Sequence, residues 1–344
     1  MIGYVVRRIV QSAIVVWLVV TVVFILQHAQ PGSTAVVILG PRAYPAQIAA
    51  FNQASGLNAP LPVQYVRFLV SILHGQLTFA GSPAHSPYQI VNQYASGVSL
   101  QGLVVGPLTN TLLLLGPALL LSIPAGLALG IWLATGPGPA DPATSPGTVK
   151  AMAWLRATVS ILSRAVYGIP VMVLGLFLTQ MLAVNAGLLP FNIPDWLEGD
   201  VLSDPAGLGL PVLTLAIVNA ALFSRYFQAG LTEGFASDYV LKARSVGASR
   251  WRILTRHVAR NAAIPVVTVA ATRIPMIFSL EVPLEAYFNY PGIGNLAWMA
   301  AEAKESPMVL AAVLVVTVLV VASSFVADII CLALDPRVQY RGAA

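Results

Sequence analysis

The stretch DYVLKARSVGASRWRILTRHVARNAAIP, residues 238–265, decides how this chain is organised. Ser237 is a suitable N-cap for a helix beginning at Asp238, and Gly247 suits the left-handed position that ends one. Ser249 can cap a second helix. There Arg252, Arg256 and Arg260 recur every four residues as one basic stripe, while Ile253, Leu254, His257 and Val258 form a less polar face. The reading is a short helix, a glycine turn and a basic helix. Three uses fit that shape: a charged loop that fixes topology or touches anionic lipid, a DNA-reading helix-turn-helix, or a docking element that a partner protein grips.

The flanks narrow the choice. Of 344 residues, 57% are hydrophobic and 9% charged, where a soluble domain carries about 25% charged residues. Mean hydropathy is +0.80. A spanning helix needs about 20 mainly apolar residues. Six segments qualify, at 9–29, 108–134, 158–184, 208–230, 262–285 and 308–334. The expected fold class is an all-α polytopic membrane protein with about six transmembrane helices. Arg7 and Arg8 precede the first apolar run as in a secretory signal, but the run is long and no cleavage site follows, so a retained first span is expected. Cys331 is the single cysteine, so the sequence encodes no internal disulfide.

Charge sets the expected orientation. With six spans both termini share a side with the loops after the second and fourth spans. That side and its flanks hold Arg7, Arg8, Lys150, Arg156, Arg164, Arg225, Lys242, Arg244, Arg250, Arg252, Arg256, Arg260, Arg337 and Arg341, 14 of the 18 basic residues. The positive-inside rule places both termini in the cytoplasm. The net charge of +5 then reflects topology and gives no sign of nucleic acid. The expected organisation is a first span over 1–30, an extracytoplasmic loop subdomain over 31–106, and a five-helix core over 107–335. The core carries the cytoplasmic loop 231–262, and a cytoplasmic tail occupies 336–344. Residues 64–73 read as a short amphipathic helix, and Gly136–Gly147 as a Pro/Gly-rich linker.

Chemical constellations are thin. Lys150, Lys242 and Lys304 are the only lysines and none follows a glycine, so no phosphate-cradling loop is encoded. His28, His74, His85 and His257 lack metal-ligand spacing, and no serine sits in a nucleophile elbow. No catalytic residue, metal site or resident cofactor is expected.

The stretch at 238–265 resembles the coupling loop of membrane subunits of binding-protein-dependent ABC importers, in the form of the oligopeptide/dipeptide/nickel group. Asp238–Val240, Ala243–Arg244, Gly247, Arg256–His257 and Arg260–Ala262 match that group's elements, while Leu241 and Lys242 replace two positions of the general Glu-Ala-Ala-x3-Gly pattern. YVVRRIVQ, Pro31–Ser33, GLNAPLPVQYVRFL (56–69) with HGQL, EAYFNYPGIGNL (285–296) and DPRVQY (335–340) resemble further family segments in the same order. The resemblance implies a type I importer permease bundle in a prokaryotic plasma membrane. It implies a second, similar permease subunit, two ATPase subunits that hold ATP and Mg, and an extracytoplasmic solute-binding protein. Asp238, Tyr239, Ala243, Arg244, Gly247, Arg256 and His257 would then couple to the ATPases.

Charges within spans mark candidate path residues, because each costs about 2.5–3.5 kcal/mol to insert. Arg273 lies in the fifth apolar segment with Glu281 and Glu285 toward its end, and positions 273, 277 and 281 advance only about 40° per four residues. Pro275 and Pro283 are expected to bend or break that helix. Arg273 and Glu281 could take the two termini of a zwitterionic peptide, or pair structurally. Glu285 fits a structural or gating role, and Gln180 and Asn219 are weaker polar candidates. Peptides are the leading substrate, ahead of nickel complexes or another small solute. The competing classes are an ion-coupled secondary transporter working alone and an intramembrane enzyme.

Overall fold

The computed structural model describes residues 2–29, 36, 43–54, 58–73, 100–135, 146–190, 201, 205–280, 282–302 and 306–334. All its regular elements there are helical: α1 (Ile2–Ala29), α2 (Pro45–Ala54), α3 (Leu61–Leu73), α4 (Leu100–Ala134), α5 (Pro146–Gly168), α6 (Val171–Leu178), α7 (Gly209–Phe235), α8 (Asp238–Ser245), α9 (Arg250–Arg252), α10 (Ala259–Leu280), α11 (Val282–Tyr287), α12 (Ile293–Glu302) and α13 (Ser306–Leu334). Two π-helical segments extend this set, Thr179–Asn185 after α6 and Ile253–Val258 joining α9 to α10. In hydrocarbon every backbone amide and carbonyl has to be satisfied within the chain, which favours this all-helical solution.

By length and composition four helices can each cross a membrane, over Val6–Leu26, Val105–Ala134, Gly209–Phe235 and Ala312–Ile330. The expected third span is not one straight helix. Gly147–Gly168 and Val171–Asn185 meet at 114°, and counting that bent pair as one span makes five. Pro170 explains the break: it has no amide for the ladder, and the Ile169 amide is shared between the carbonyls of Ala165 and Val166. The expected fifth span forms α10 and α11. The helix of α10 continues through position 275, and Pro283 falls in the first turn of α11, where a missing amide costs nothing. Glu281, the linker residues 136–145, Pro31–Ser33, His74–Leu77 and Asp335–Tyr340 lie outside the described residues.

The chain divides into two compact units, one from Met1–Leu112 and Glu281–Phe325, the other from Leu113–Leu280 and Val326–Ala344. In the first, α3 is the expected amphipathic helix, begun three residues earlier, and it is tied to α1. Thr21 Oγ1 and Tyr65 Oη lie 2.6 Å apart, and His28 Nε2 lies 3.1 Å from Gln64 Oε1. The Phe24 and Tyr65 rings meet edge to face, with centroids 5.2 Å apart.

In the second unit α4 and α7 pack along a seam of small residues. A Cβ at Gly126 would stand 2.7 Å from Phe223 Cβ and 2.9 Å from the Ala220 carbonyl oxygen. A Cβ at Gly130 would stand 3.0 Å from Phe227 Cβ. Lipid tails are as apolar as leucine, so close backbone approach, not water exclusion, holds such pairs together. Valine at Gly126 is expected to part the two helices at a cost of about 1–3 kcal/mol. A lowered Tm of the detergent-purified protein would show it, while Gly116→Ala, with no atom within 4 Å, should leave the Tm unchanged.

Candidate functional site

The basic helix pair is built on a buried apolar cluster. Phe223, Phe227 and Leu231 of α7 pack with Val240 of α8, with Ile253, Leu254 and Val258 of the π turn, and with Ala262 and Val266 of α10. Gly234 lets these elements approach, because a Cβ there would stand 2.6 Å from Val258 Cγ1 and 3.3 Å from Tyr239 Oη. Gly247 ends α8 with φ +78°, the left-handed conformation its missing Cβ permits. Ser249 caps α9, its Oγ accepting from the Arg252 amide at 3.3 Å. Ser237 has the extended backbone of an N-cap but does not cap α8. Its hydroxyl donates to the Gly234 carbonyl at 2.5 Å instead.

Asp238, Tyr239 and Arg244 are exposed on α8, with Ala243 partly buried beneath them. Asp238 in the first turn and Lys242 and Arg244 in the last complement the helix dipole. Arg252, Arg256 and Arg260 are all exposed. His257 departs from the expected less polar face. The extra residue of the π turn rotates it outward, so Ile253, Leu254 and Val258 are buried and His257 is not. The structure adds three residues that the sequence reading passed over: Leu241, Val246 and Trp251 are 59%, 79% and 69% exposed. These apolar side chains are therefore presented among the exposed arginines. Leu241 stands one residue outside the buried Val240, and Val246 lies between the exposed Ser245 and Gly247.

The second candidate lies in the first unit, around the turn Tyr290-Pro291-Gly292. Glu285 is fully buried. Its Oε1 accepts from Thr111 Oγ1 at 2.6 Å, and its Oε2 from the amides of Gly294 and Asn295 at 2.8 and 3.0 Å. Thr111 Oγ1 in turn accepts from the Ile293 amide at 3.0 Å. The carboxyl group therefore serves three amides of the first turn of α12, two directly and one through Thr111, where a helix has donors but no partners of its own. Both glycines of the Pro-Gly-Ile-Gly run are needed. A Cβ at Gly292 would overlap the Glu285 carboxyl group, and one at Gly294 would stand 2.8 Å from Val282 Cα. Asn289 reverses the chain at φ +46°. Tyr290 Oη donates to the Asn110 carbonyl at 2.6 Å, and Asn110 Nδ2 donates to the Pro291 carbonyl at 3.0 Å, so the turn is stapled to the start of α4.

The other polar candidates are dispersed. Arg273 is half-buried on α10, with its guanidinium carbon 5.2 Å from the centre of the Tyr167 ring on α5. A cation–π contact contributes about 0.5–2 kcal/mol. That is less than the insertion cost of an arginine, so the ring offsets only part of it. Gln180 is exposed in the first π segment and donates to Asn185 Oδ1 at 3.2 Å. Asn219 is buried, and its amide donates to the Leu215 carbonyl of its own helix at 3.0 Å. Among the described residues no cluster of metal-ligating side chains occurs.

Removing the Thr111 hydroxyl strands a buried amide, so Thr111→Val is expected to destabilise the protein by about 1–3 kcal/mol, and Glu285→Ala by more. Gly292→Ala should resemble Glu285→Ala, since its methyl displaces the carboxyl group. Thermal unfolding of the detergent-purified variants checks the order, with equal Tm values for Glu285→Ala and wild type counting against the clasp.

Similarity to known proteins extends over nearly the whole chain. Residues 126–340 match the family described as "Binding-protein-dependent transport system inner membrane component", and residues 1–112 match the N-terminal region of such membrane components. The oligopeptide transport system permease protein AppB of Bacillus subtilis is 28% identical over 342 residues, covering 99% of this chain and 100% of the relative. The probable peptide ABC transporter permease protein y4tP of Sinorhizobium fredii is 27% identical, covering 98% and 99%. The glutathione transport system permease protein GsiC of Salmonella paratyphi A is 27% identical, covering 99% and 100%. This chain belongs to the inner membrane components of binding-protein-dependent transport systems, and is a multi-pass plasma-membrane permease of the ABC importer class.

Proposed function

We propose that this chain forms, with a second similar permease subunit, the translocation path of an ATP-driven importer for di- or oligopeptides. An extracytoplasmic solute-binding protein delivers the peptide, and two ATP-binding subunits carry ATP and Mg. The chain itself has no catalytic role and no cofactor. The observation that carries this reading is the helix pair at 238–258, which is anchored by Val240 and Val258 and presents Leu241, Val246 and Trp251 between arginines. A surface so apolar suits a partner better than a loop that only fixes topology. Its basic flank belongs on the cytoplasmic side, where the ATPases reside. Peptides are favoured because the relatives are named for oligopeptides, peptides and glutathione. A nickel complex or another small solute is the second reading for the cargo. In the path, Arg273 and Glu281 are assigned to the peptide's two charged ends.

Co-expression with the neighbouring transporter subunits tests the assignment. Val246→Asp is expected to lower the ATPase recovered with the complex about tenfold, the equivalent of about 1.4 kcal/mol. Gly247→Pro should uncouple ATP hydrolysis from uptake, because proline cannot adopt the left-handed φ at that position. Full uptake by this chain and its permease partner without any ATPase would overturn the proposal in favour of an ion-coupled transporter.

A further inference from the structure

Helix α3 turns polar side chains toward the protein and apolar ones outward. Gln64 and Tyr65 face α1. Gln64 Oε1 lies 3.1 Å from His28 Nε2, its Nε2 donates to the Ala59 carbonyl at 2.7 Å, and Tyr65 Oη lies 2.6 Å from Thr21 Oγ1. On the other side Val63, Val66 and Val70 are 41%, 57% and 47% exposed. At 100° per residue these three positions fall within about 60° of one another, on the side opposite Gln64 and Tyr65. A helix that rests on a protein in water has the reverse arrangement, with apolar side chains inward and polar ones toward solvent.

The level of these contacts along α1 agrees. Thr21, Phe24 and His28 are spaced i, i+3 and i+7, so they form one face, and α3 packs against the side of α1 instead of over its end. The apolar span of α1 runs Val6–Leu26. At 1.5 Å per residue Thr21 lies about 7.5 Å inside its end, and His28 about 3 Å beyond it. The contacts with α3 therefore straddle the boundary between hydrocarbon and headgroups. Trp17 is on the same face of α1 one turn deeper, and it is exposed together with Leu18, Val22 and Ile25. The valine stripe of α3 continues this apolar surface of a spanning helix. Arg67, exposed beside the stripe, has an apolar stem that can lie along it and a cationic head that suits a lipid phosphate. We propose that α3 is an interfacial helix that lies in the bilayer leaflet at the C-terminal end of α1. Its valine stripe is immersed among acyl chains, and Arg67 reaches the phosphates. The partner of this face is phospholipid, although the helix belongs to the stretch that the sequence assigns to an extracytoplasmic loop.

The test uses the complete transporter in phospholipid proteoliposomes, with Cys331→Ser as the background. A nitroxide is attached in turn to Val63→Cys, Val66→Cys and Arg67→Cys, and to Val22→Cys on α1 as the lipid reference. Collisions with oxygen, which dissolves in hydrocarbon, are compared with collisions with a water-soluble nickel chelate. The labels at 63 and 66 should share the oxygen-dominated profile of the label at 22, at a depth of about 5–10 Å below the phosphates. The label at 67 should lie shallower than both. Preferential collision with the chelate at 63 and 66 would overturn the proposal and place the stripe in water. Few collisions with either reagent would overturn it in favour of a protein cover, from the second permease subunit or the solute-binding protein. Equal depth at 66 and 67 would remove Arg67 from the phosphate level.

Discussion

Inside a bilayer no water waits for a stray amide or carbonyl, and this constraint organises the chain. It accounts for the absence of strands among the described residues, and also for the form of each departure from helix. At Pro170 the ladder breaks at a residue with no amide to lose. At the turn before α12 the orphaned amides are gathered by Glu285 and Thr111. In the two π segments the chain gains a residue without giving up its ladder.

Two charges away from the helix pair illustrate opposite solutions. Glu285 is enclosed by neutral donors and fixed by them, so its carboxyl group stabilises a fold element. Arg273 is met on one face by an aromatic ring, an attraction smaller than the cost of bringing the cation into lipid. The first arrangement is closed by hydrogen bonds on both carboxyl oxygens, and the second rests on a ring contact.

Much of this was legible in the sequence, because lipid makes hydropathy a strong signal. The apolar runs located the long helices, Gly247 and Ser249 punctuated the helix pair at the positions observed, and residues 64–73 declared their amphipathic face. The misreadings share one cause, which is that local pattern carries no information about phase or partners. Ser237 has the chemistry of a cap, yet the Gly234 carbonyl is closer to hand. His257 sits on the apolar face of an ideal helix, and a π turn moves it off. The Ile169-Pro170 pair lay within an apolar run and was absorbed into a single span. The site around Glu285 joins residues 174 positions apart, Thr111 and Glu285, a relation that no window of sequence can display.

The passage from α9 through the π turn into α10 has a consequence for how the gene can vary. From Arg250 to Leu280 the helix is uninterrupted, and its contacts include Ala262, whose Cα would stand 3.1 Å from a Cβ at Gly230 of α7, and Arg273, beside Tyr167. Each residue of an α-helix turns the chain by about 100°. A single insertion or deletion between those two points would therefore turn one of them away from its partner by more than a quarter revolution. The π turn has already taken up one residue of slack at the other end, so substitutions can accumulate along this helix while its length between residues 262 and 273 stays frozen.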